Sequence, residues 1–354
     1  MKPARRAGFL VVVLSSGPPM SPLRLLPLFL AGLATYESTC RSSAGAGQAP
    51  GGGSGDGDVN LAGVDTASLT SREKKDWSTW VSDMLAPCPS EPVSVAQCVK
   101  ESRKCAKCLP AARLLVKQVR AGKSRSQAEE AFRARFDAER VKAIDPSDSP
   151  SKGPASAPIT IVEWADFQCP HCRHAAPVLE KMVSAHPGKV RLVYKFYPLQ
   201  AHVHGESAAR AAVAAMKQGK FWEMHHILFE HQDAMEPRDL EKYAREIGLD
   251  LPKWKADWES EATADRVSRD RKQGDLLTLS GTPAIFINGR EFDLTKFDMN
   301  EDMEDWITVE LELGPSGPVV AASEPAAQKS KSAPAASAPA KPAEPSRPSD
   351  KKQP

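Results

Sequence analysis

The 354-residue chain has no apolar run as long as the roughly 18–20 residues that a membrane-spanning helix needs, which excludes a polytopic membrane protein. It has almost no net charge either, because 47 lysines and arginines against 45 acidic residues leave only +2. Without a strong basic field, nucleic acid is not an expected partner. Internal repeats are absent. No histidine follows Cys108 directly, which excludes c-type haem attachment at the C-x-x-C motif that ends there.

The apolar content of 41% is low for a globular chain, and the deficit lies at the two ends. Residues 1–40 contain two stretches in which basic residues precede a short apolar run, the pattern of a secretory leader, and Met20 is an alternative start for the second. Residues 41–60 form a glycine-rich tether, and the proline- and alanine-rich residues 314–354 are predicted to be disordered. The sequence therefore predicts an exported protein of the periplasm or cell envelope.

Cys40 follows the second apolar run and precedes the tether, so it is a candidate for lipid modification and membrane anchoring. Glu37-Ser38-Thr39, just before it, fits a lipobox poorly. The alternative is cleavage near Ala44-Gly45-Ala46, which would discard this cysteine with the leader. Six cysteines remain, and an even number in an exported chain favours disulfide chemistry over metal binding.

Residues 61–145 have helical periodicity and are predicted to form a small all-α domain that contains four cysteines. Capping patterns at Thr70–Glu73, Ser94–Gln97 and Ser124–Gln127 indicate where three of its helices begin. Residues 146–158 contain four prolines and are predicted to be a linker. A separate unit is therefore expected beyond the linker.

Residues 159–313 have an α/β pattern. An apolar strand at Ile159–Trp164, a helix from Cys172 and a second strand at Val190–Tyr194 predict a β-α-β unit. A long helical stretch follows. Asn288-Gly289, between two short β-rich runs, predicts a hairpin ahead of a closing helix.

The motif Cys169-Pro170-His171-Cys172 lies where the first strand gives way to the helix. The unpaired amides and the dipole of a helix N-terminus stabilise an anion, so the thiolate of Cys169 should be favoured. A stabilised thiolate favours the reduced dithiol, which makes the disulfide oxidising. His171, when protonated, would strengthen this effect. The motif predicts redox chemistry; a structural disulfide and half of a zinc site are the alternatives.

Two further features converge on this dithiol. Glu163, six residues before Cys169 on the buried strand, is predicted to relay a proton to or from the interior Cys172; a solvated carboxylate at the strand end is the alternative. The Thr282-Pro283 bond precedes the hairpin, and a cis bond there would place a backbone edge against the dithiol.

Three segments, Glu163–Cys172, Gly219–His225 and Gly281–Gly289, resemble the DsbA-like, thioredoxin-fold family of exported thiol:disulfide oxidoreductases. The resemblance covers about residues 159–313, under half of the chain. It implies an α/β thioredoxin fold with a helical insertion at about residues 200–280, here preceded by the small all-α domain.

The resemblance also implies roles for individual residues. Cys169 would be the exposed nucleophile, Cys172 the resolving thiol and Pro283 the cis proline, and Glu163 matches the buried acid of the family in spacing. Thr282 departs from the apolar residue that precedes the cis proline in the strongest oxidase of the family. The redox direction therefore stays open between oxidase and isomerase-like relatives.

Histidines are numerous but carry no spacing typical of a metal site. Neighbouring residues such as His225 and His226 cannot share one face of a helix. We interpret these two, and likewise His202, His204 and His231, as capping, packing or surface residues. Neither a metal nor a bound cofactor is predicted.

The four remaining cysteines, Cys88, Cys98, Cys105 and Cys108, have three interpretations. Two structural disulfides are the default for a small exported domain. Because Cys105-Ala-Lys-Cys108 resembles a second dithiol, a redox relay to the first one is an alternative. A four-thiolate zinc site is the third, and the long gap between Cys88 and Cys98 weakens it.

The predicted function is thiol–disulfide exchange with exported proteins that carry free thiols or disulfides, most simply as an oxidase. A membrane oxidant or another dithiol protein would be the electron partner, and a lipid anchor on Cys40 would hold the protein at the membrane. The alternatives are a reductase or isomerase fed by Cys105 and Cys108, and a non-catalytic binding or chaperone module.

Overall fold

The structure is a computed structural model, and it describes residues 58–314. The predicted leader, Cys40, nearly all of the predicted tether and the predicted tail lie outside the described residues. Within residues 58–314, no helix combines the length and the apolar character needed to cross a membrane.

The N-terminal segment is helical, as its periodicity predicts. Thr70 and Glu73 form a reciprocal capping box at the first helix, and Ser124 and Gln127 form one at the fourth. The hydroxyl of Ser94 accepts a hydrogen bond from an amide of the second helix. These caps satisfy helix N–H groups that would otherwise lack a partner. The helices are α1 (Ser71–Asp83), α2 (Val95–Lys100), α3 (Cys108–Arg120) and α4 (Arg125–Phe136), followed by a 3-10 turn at Ala138–Arg140.

The remaining chain forms a five-stranded mixed sheet in the order β1-β3-β2-β4-β5. Strands β2 and β3 are parallel and the other neighbouring pairs are antiparallel. The strands are β1 (Ser151–Lys152), β2 (Ile159–Ala165), β3 (Val190–Phe196), β4 (Ala284–Ile287) and β5 (Arg290–Glu291).

Helices cover this sheet and supply the insertion that the sequence predicts. Helix α5 (Pro170–Ala185) connects β2 to β3, which makes the expected β-α-β unit, and α11 (Met299–Leu313) closes the described chain. Between β3 and β4 lie α6 (Gly205–Met216), α7 (Phe221–Glu230), α8 (Pro237–Glu246), α9 (Leu251–Glu259) and α10 (Glu261–Leu276).

The turn between β4 and β5 is the hairpin that Asn288-Gly289 predicts. Both residues have positive φ, 49° and 78°, as a two-residue hairpin turn requires. A Cβ on Gly289 would lie 2.3 Å from the carbonyl oxygen of Lys142, so only glycine fits there. The Asn288 side-chain carbonyl accepts a hydrogen bond from the Thr160 amide at 2.9 Å, which joins the turn to β2.

The N-terminal helices share one hydrophobic core with the sheet. Trp77 of α1 belongs to the same buried cluster as Ile159 of β2 and Trp306 of α11. A buried ion pair also crosses this boundary, with Arg135 Nη1 2.7 Å from Glu310 Oε1 and both side chains no more than 6% exposed. The predicted all-α domain is therefore not separate from the α/β unit, because periodicity shows which face of a helix is buried but not what covers it.

The segment predicted as a linker also belongs to the fold. Ser151 and Lys152 pair with Val193 and Leu192, so β1 is an edge strand of the sheet. A Cβ on Gly153 would lie 2.4 Å from the carbonyl oxygen of Val190. Four prolines indicate where helices stop, but they do not show that the extended chain between them pairs with a strand.

The four N-terminal cysteines form two disulfides, Cys88–Cys105 and Cys98–Cys108. They close loops of 17 and 10 residues, and such loops are worth roughly 3 kcal/mol each in the chain-entropy account. Because all four sulfurs are bonded, the alternatives of a Cys105–Cys108 dithiol and of a four-thiolate zinc site do not hold in this structure.

Candidate active site

The dithiol lies at the start of α5. Cys169 is the N-cap residue, Pro170 occupies the first turn, and both Cys169 and Cys172 are free thiols. Proline suits this position because the first helical amides need no partner within the helix. His171 and Pro170 are exposed at the surface.

The prediction of an exposed Cys169 is wrong in this structure, where the residue is only 4% exposed. Its Sγ lies 3.3 Å from the carbonyl oxygen of Thr282, and the Thr282–Pro283 bond is cis. Gln232 donates hydrogen bonds to the carbonyl oxygens of Phe167 and Cys169, at 2.7 and 2.9 Å, and so holds the preceding loop in place. The sequence motif shows that Cys169 begins a helix, but it does not show that the distant segments around Thr282 and Gln232 cover this residue.

Hydrogen bonds to Cys169 lower the pKa of its thiol from 9.0 to about 5. The largest contribution is that of the Cys172 thiol, followed by those of the nearby Thr282 side chain and the backbone amides of Cys172 and His171, while burial opposes them. The sequence predicts a contribution from the His171 imidazole, but the contribution in the structure is that of its amide. A thiolate is therefore the expected form of Cys169 at neutral pH.

Cys172 has the opposite character. Burial, the hydrogen bond to Cys169 and the negative charge of Glu163 raise its pKa well above 9.0. Its side chain is completely buried. Cys169 thus has the character of a thiolate that attacks or leaves, and Cys172 has that of a protonated resolving thiol.

Glu163 lies in the middle of β2, and this apolar strand is buried along its whole length. Burial first, then the charges of Cys169 and Glu180, raises its pKa to about 8. Within residues 58–314, its Oε1 has no hydrogen-bond partner, and neither does the hydroxyl of Tyr194, the residue opposite it in the β2–β3 register. Sequence reasoning places Glu163 on a buried strand but does not find Tyr194.

Asp166 is a second residue that the sequence does not reveal. Its carboxylate accepts hydrogen bonds from the amides of Gln168 and Leu199, at 2.8 and 2.7 Å, and lies 2.6 Å from Nδ1 of His202. A Cβ on Gly205 would come within 2.9 Å of the same carboxylate. Asp166 therefore ties the loop before the dithiol to the start of the insertion. A buried aspartate just past a strand end is a weak signal of such a role.

Residues 145–308 match the family model described as Thioredoxin. This segment, under half of the chain, is similar to the thioredoxin family. The α/β class, the thioredoxin fold and the resemblance to DsbA-like proteins that the sequence predicts are thereby confirmed. The same segment carries the dithiol arrangement of a protein thiol:disulfide oxidoreductase.

Solved structures similar to the chain include a thioredoxin-like oxidoreductase from Silicibacter pomeroyi, at 28% identity and a TM-score of 0.42, with 46% of this chain and 91% of that chain covered. BdbD from Bacillus subtilis is similar at 24% identity and a TM-score of 0.42, with 49% and 98% covered.

A curated relative is the Na⁺/H⁺ antiporter NhaA 3 of Salinispora tropica, 41% identical over 148 residues. The match covers 42% of this chain and 22% of the antiporter, so the chain spans about a fifth of the length of that relative.

Proposed function

We propose that this protein exchanges disulfides with thiol-bearing protein substrates through Cys169 and Cys172, and that it acts as an oxidase. The observation that carries the proposal is the contrast between the two sulfurs. The pKa of Cys169 is lowered to about 5 and that of Cys172 is raised well above 9.0. A structural disulfide has no need of such a contrast, whereas an exchange reaction does.

The reaction starts from the oxidised dithiol. A substrate thiolate attacks Sγ of Cys169, the Cys169–Cys172 bond breaks, and Cys172 leaves with the bonding electron pair and takes up a proton. A second substrate thiolate then attacks the substrate sulfur of the mixed disulfide. Cys169 leaves as a thiolate, and the substrate keeps the new disulfide. Two electrons have then passed to the dithiol, and an external disulfide or membrane oxidant must remove them.

The surroundings of the dithiol support two of these steps. Glu163, with its pKa raised to about 8, is protonated at neutral pH and buried beside the charges of the site, so it serves as the proton donor to the Cys172 thiolate. The Thr282 carbonyl oxygen, 3.3 Å from Sγ of Cys169, marks the backbone edge along which an extended substrate would pair.

The direction of exchange follows from the stability of the reduced form. A thiol whose pKa falls from 9.0 to about 5 stabilises the reduced dithiol at pH 7, by at most about 3 kcal/mol and less after solvent screening. That corresponds to at most about 60 mV toward oxidising potentials. A reductase or isomerase fed by Cys105 and Cys108 lacks its donor pair, because these two cysteines are bonded to other partners.

The proposed location is the cell envelope, outside the reducing cytoplasm. The two N-terminal disulfides support it, because such bonds persist in oxidising compartments. Export itself and lipid anchoring at Cys40 stay predictions, since the leader lies outside the described residues.

The test is a stoichiometric oxidation assay. The full oxidised chain is mixed with a reduced peptide that carries two cysteines, and peptide disulfide is followed by mass spectrometry. We expect one peptide disulfide per chain, none with Cys169→Ala, and a redox potential more oxidising than the about −270 mV of thioredoxin. A potential at or below that value would make the protein a reductase, and no exchange at all would leave only a binding module.

A further inference from the structure

Three potential metal ligands converge on the side of α5 that faces α7. The Nε2 of His226 lies 2.7 Å from Oε1 of Glu180, and the Nδ1 of His225 lies 3.9 Å from the same oxygen. One ligand atom from each of the three residues lies within 4.8 Å of the others. The two histidines do not share one face of the helix, yet a nitrogen of each lies near this carboxylate.

The two histidines meet because they use different nitrogens. His225 presents Nδ1, which is close to its own backbone, whereas the exposed His226 presents Nε2, at the tip of its ring. Side chains about 100° apart on a helix can therefore bring one nitrogen each to the same carboxylate. Residue spacing in the sequence does not distinguish these nitrogens.

The Nδ1 of His225 is an independent indication that a ligand is missing. The residue is 1% exposed, and this nitrogen has no hydrogen-bond partner within the described chain. A buried polar atom without a partner costs free energy, and His225 is otherwise packed among aromatic rings such as Phe167 and Phe229. Its unused nitrogen lies 3.9 Å from Oε1 of Glu180, a carboxylate that an ion could share with it.

An open cavity of about 250 Å³ adjoins the cluster. The three candidate ligands line it together with Arg173, Phe229 and Glu230. Such a cavity leaves room for water or another small ligand beside an ion. Zinc sites with three protein ligands keep this kind of open fourth position.

Nearby cationic side chains weaken the binding of an ion at such a site, but they leave Oε1 of Glu180 free to face the histidines. Lys152 Nζ lies 2.6 Å from Oε2 of Glu180, the oxygen that does not face the histidines. Its ammonium group also lies 4.8 Å from the centre of the Trp222 ring, which holds it to that side. Arg173 opposes a cation across the cavity, and Glu230 favours one.

We propose that Glu180, His225 and His226 bind a divalent transition-metal ion of the Zn²⁺ class. Two imidazole nitrogens and one carboxylate oxygen suit this class and not Mg²⁺ or Ca²⁺, which prefer oxygen ligands only. The ion joins α5, the helix that begins with the dithiol, to α7 of the insertion. The site is distinct from the two sulfurs and does not depend on the proposed exchange reaction.

The test is calorimetric titration of the full, tag-free chain with Zn²⁺. The protein is kept oxidised, so that Cys169 and Cys172 are bonded to each other and cannot act as thiolate ligands. We expect one Zn²⁺ per chain, and a loss of affinity of at least about tenfold in both His226→Ala and Glu180→Gln. His174→Ala is the matched control, because it removes an exposed histidine from the same helix that carries Glu180. It should bind like the parent chain.

X-ray absorption of the loaded protein gives a second readout that does not depend on the variants. Nitrogen and oxygen ligands at about 2.0–2.1 Å, with no sulfur at about 2.3 Å, are expected. The proposal is overturned if the oxidised chain takes up no stoichiometric Zn²⁺, if sulfur ligates the ion, or if His226→Ala and His174→Ala bind Zn²⁺ equally well.

Discussion

Replacing Glu163 by glutamine should make the protein more stable at neutral pH. Burial raises the pKa of this carboxyl to about 8 from its usual 4.5. Between these values the folded chain holds a proton that the unfolded chain has lost. Stability therefore falls as pH rises, by about 1.4 kcal/mol per pH unit. The carboxyl therefore costs no stability well below pH 4.5, and the loss of stability is complete above pH 8.

The size of the effect follows from the same two pKa values. At pH 7, which is 2.5 units above the usual pKa of 4.5, the carboxyl is ionised in the unfolded chain but still protonated in the folded one. Ionisation in the unfolded chain therefore lowers the stability of the fold by about 3 kcal/mol. At pH 4.5 the cost is under about 0.5 kcal/mol. Glutamine has the same shape and does not ionise, so Glu163→Gln recovers this difference.

The assay is urea denaturation of the oxidised chain at pH 4.5 and pH 7, with both N-terminal disulfides kept intact. Because the Cys169 charge is absent in this form, about 3 kcal/mol is an upper figure, but burial, the larger cause, remains. Glu223→Gln, which replaces an exposed carboxylate of α7, should change stability by less than about 0.5 kcal/mol at both pH values. A Glu163→Gln gain that is absent, or equal at the two pH values, would refute the reasoning. The proposed proton transfer would give a function to a residue that costs this much stability.

Three further changes test other parts of the site and the fold. Thr282→Val removes a hydroxyl that lowers the pKa of Cys169 and should move this pKa back toward 9.0, which the pH dependence of alkylation reports. Cys172→Ala should accumulate mixed disulfides through Cys169 on non-reducing gels, and a chain that releases its substrates freely would contradict the role of the second sulfur. Arg135→Met leaves Glu310 buried without its partner and should cost about 3–5 kcal/mol in urea denaturation, most of which Glu310→Leu in the same chain should restore.

Local patterns were sufficient for much of the fold. The capping box at Thr70, the hairpin at Asn288-Gly289 and the β-α-β unit around the dithiol each depend on residues close together in sequence, and all three are present. The common core of the helical segment and the sheet was not predictable in this way. It depends on contacts such as Arg135 with Glu310, 175 residues apart.

The same distinction between local patterns and distant contacts applies to the active site. The strand-to-helix position of the motif indicates an acidic Cys169, because the helix N-terminus is a local feature. The lowering of its pKa, however, depends mainly on the Cys172 thiol and on the distant Thr282, and sequence spacing does not determine where these two groups lie. Two other contacts depend on how loops and helices are placed in three dimensions. They are the contact of Asp166 with His202 and that of His225 with Glu180.

The most direct test of the central claim is a titration of the Cys169 thiol in the native chain. The ultraviolet absorbance of the thiolate is followed against pH in protein whose Cys169–Cys172 pair alone has been reduced, with the fully oxidised chain as the baseline. Because the pKa of Cys172 lies well above 9.0, the first transition belongs to Cys169. The account predicts a midpoint near pH 5. A midpoint near 9.0, the usual value for a cysteine thiol, would contradict it.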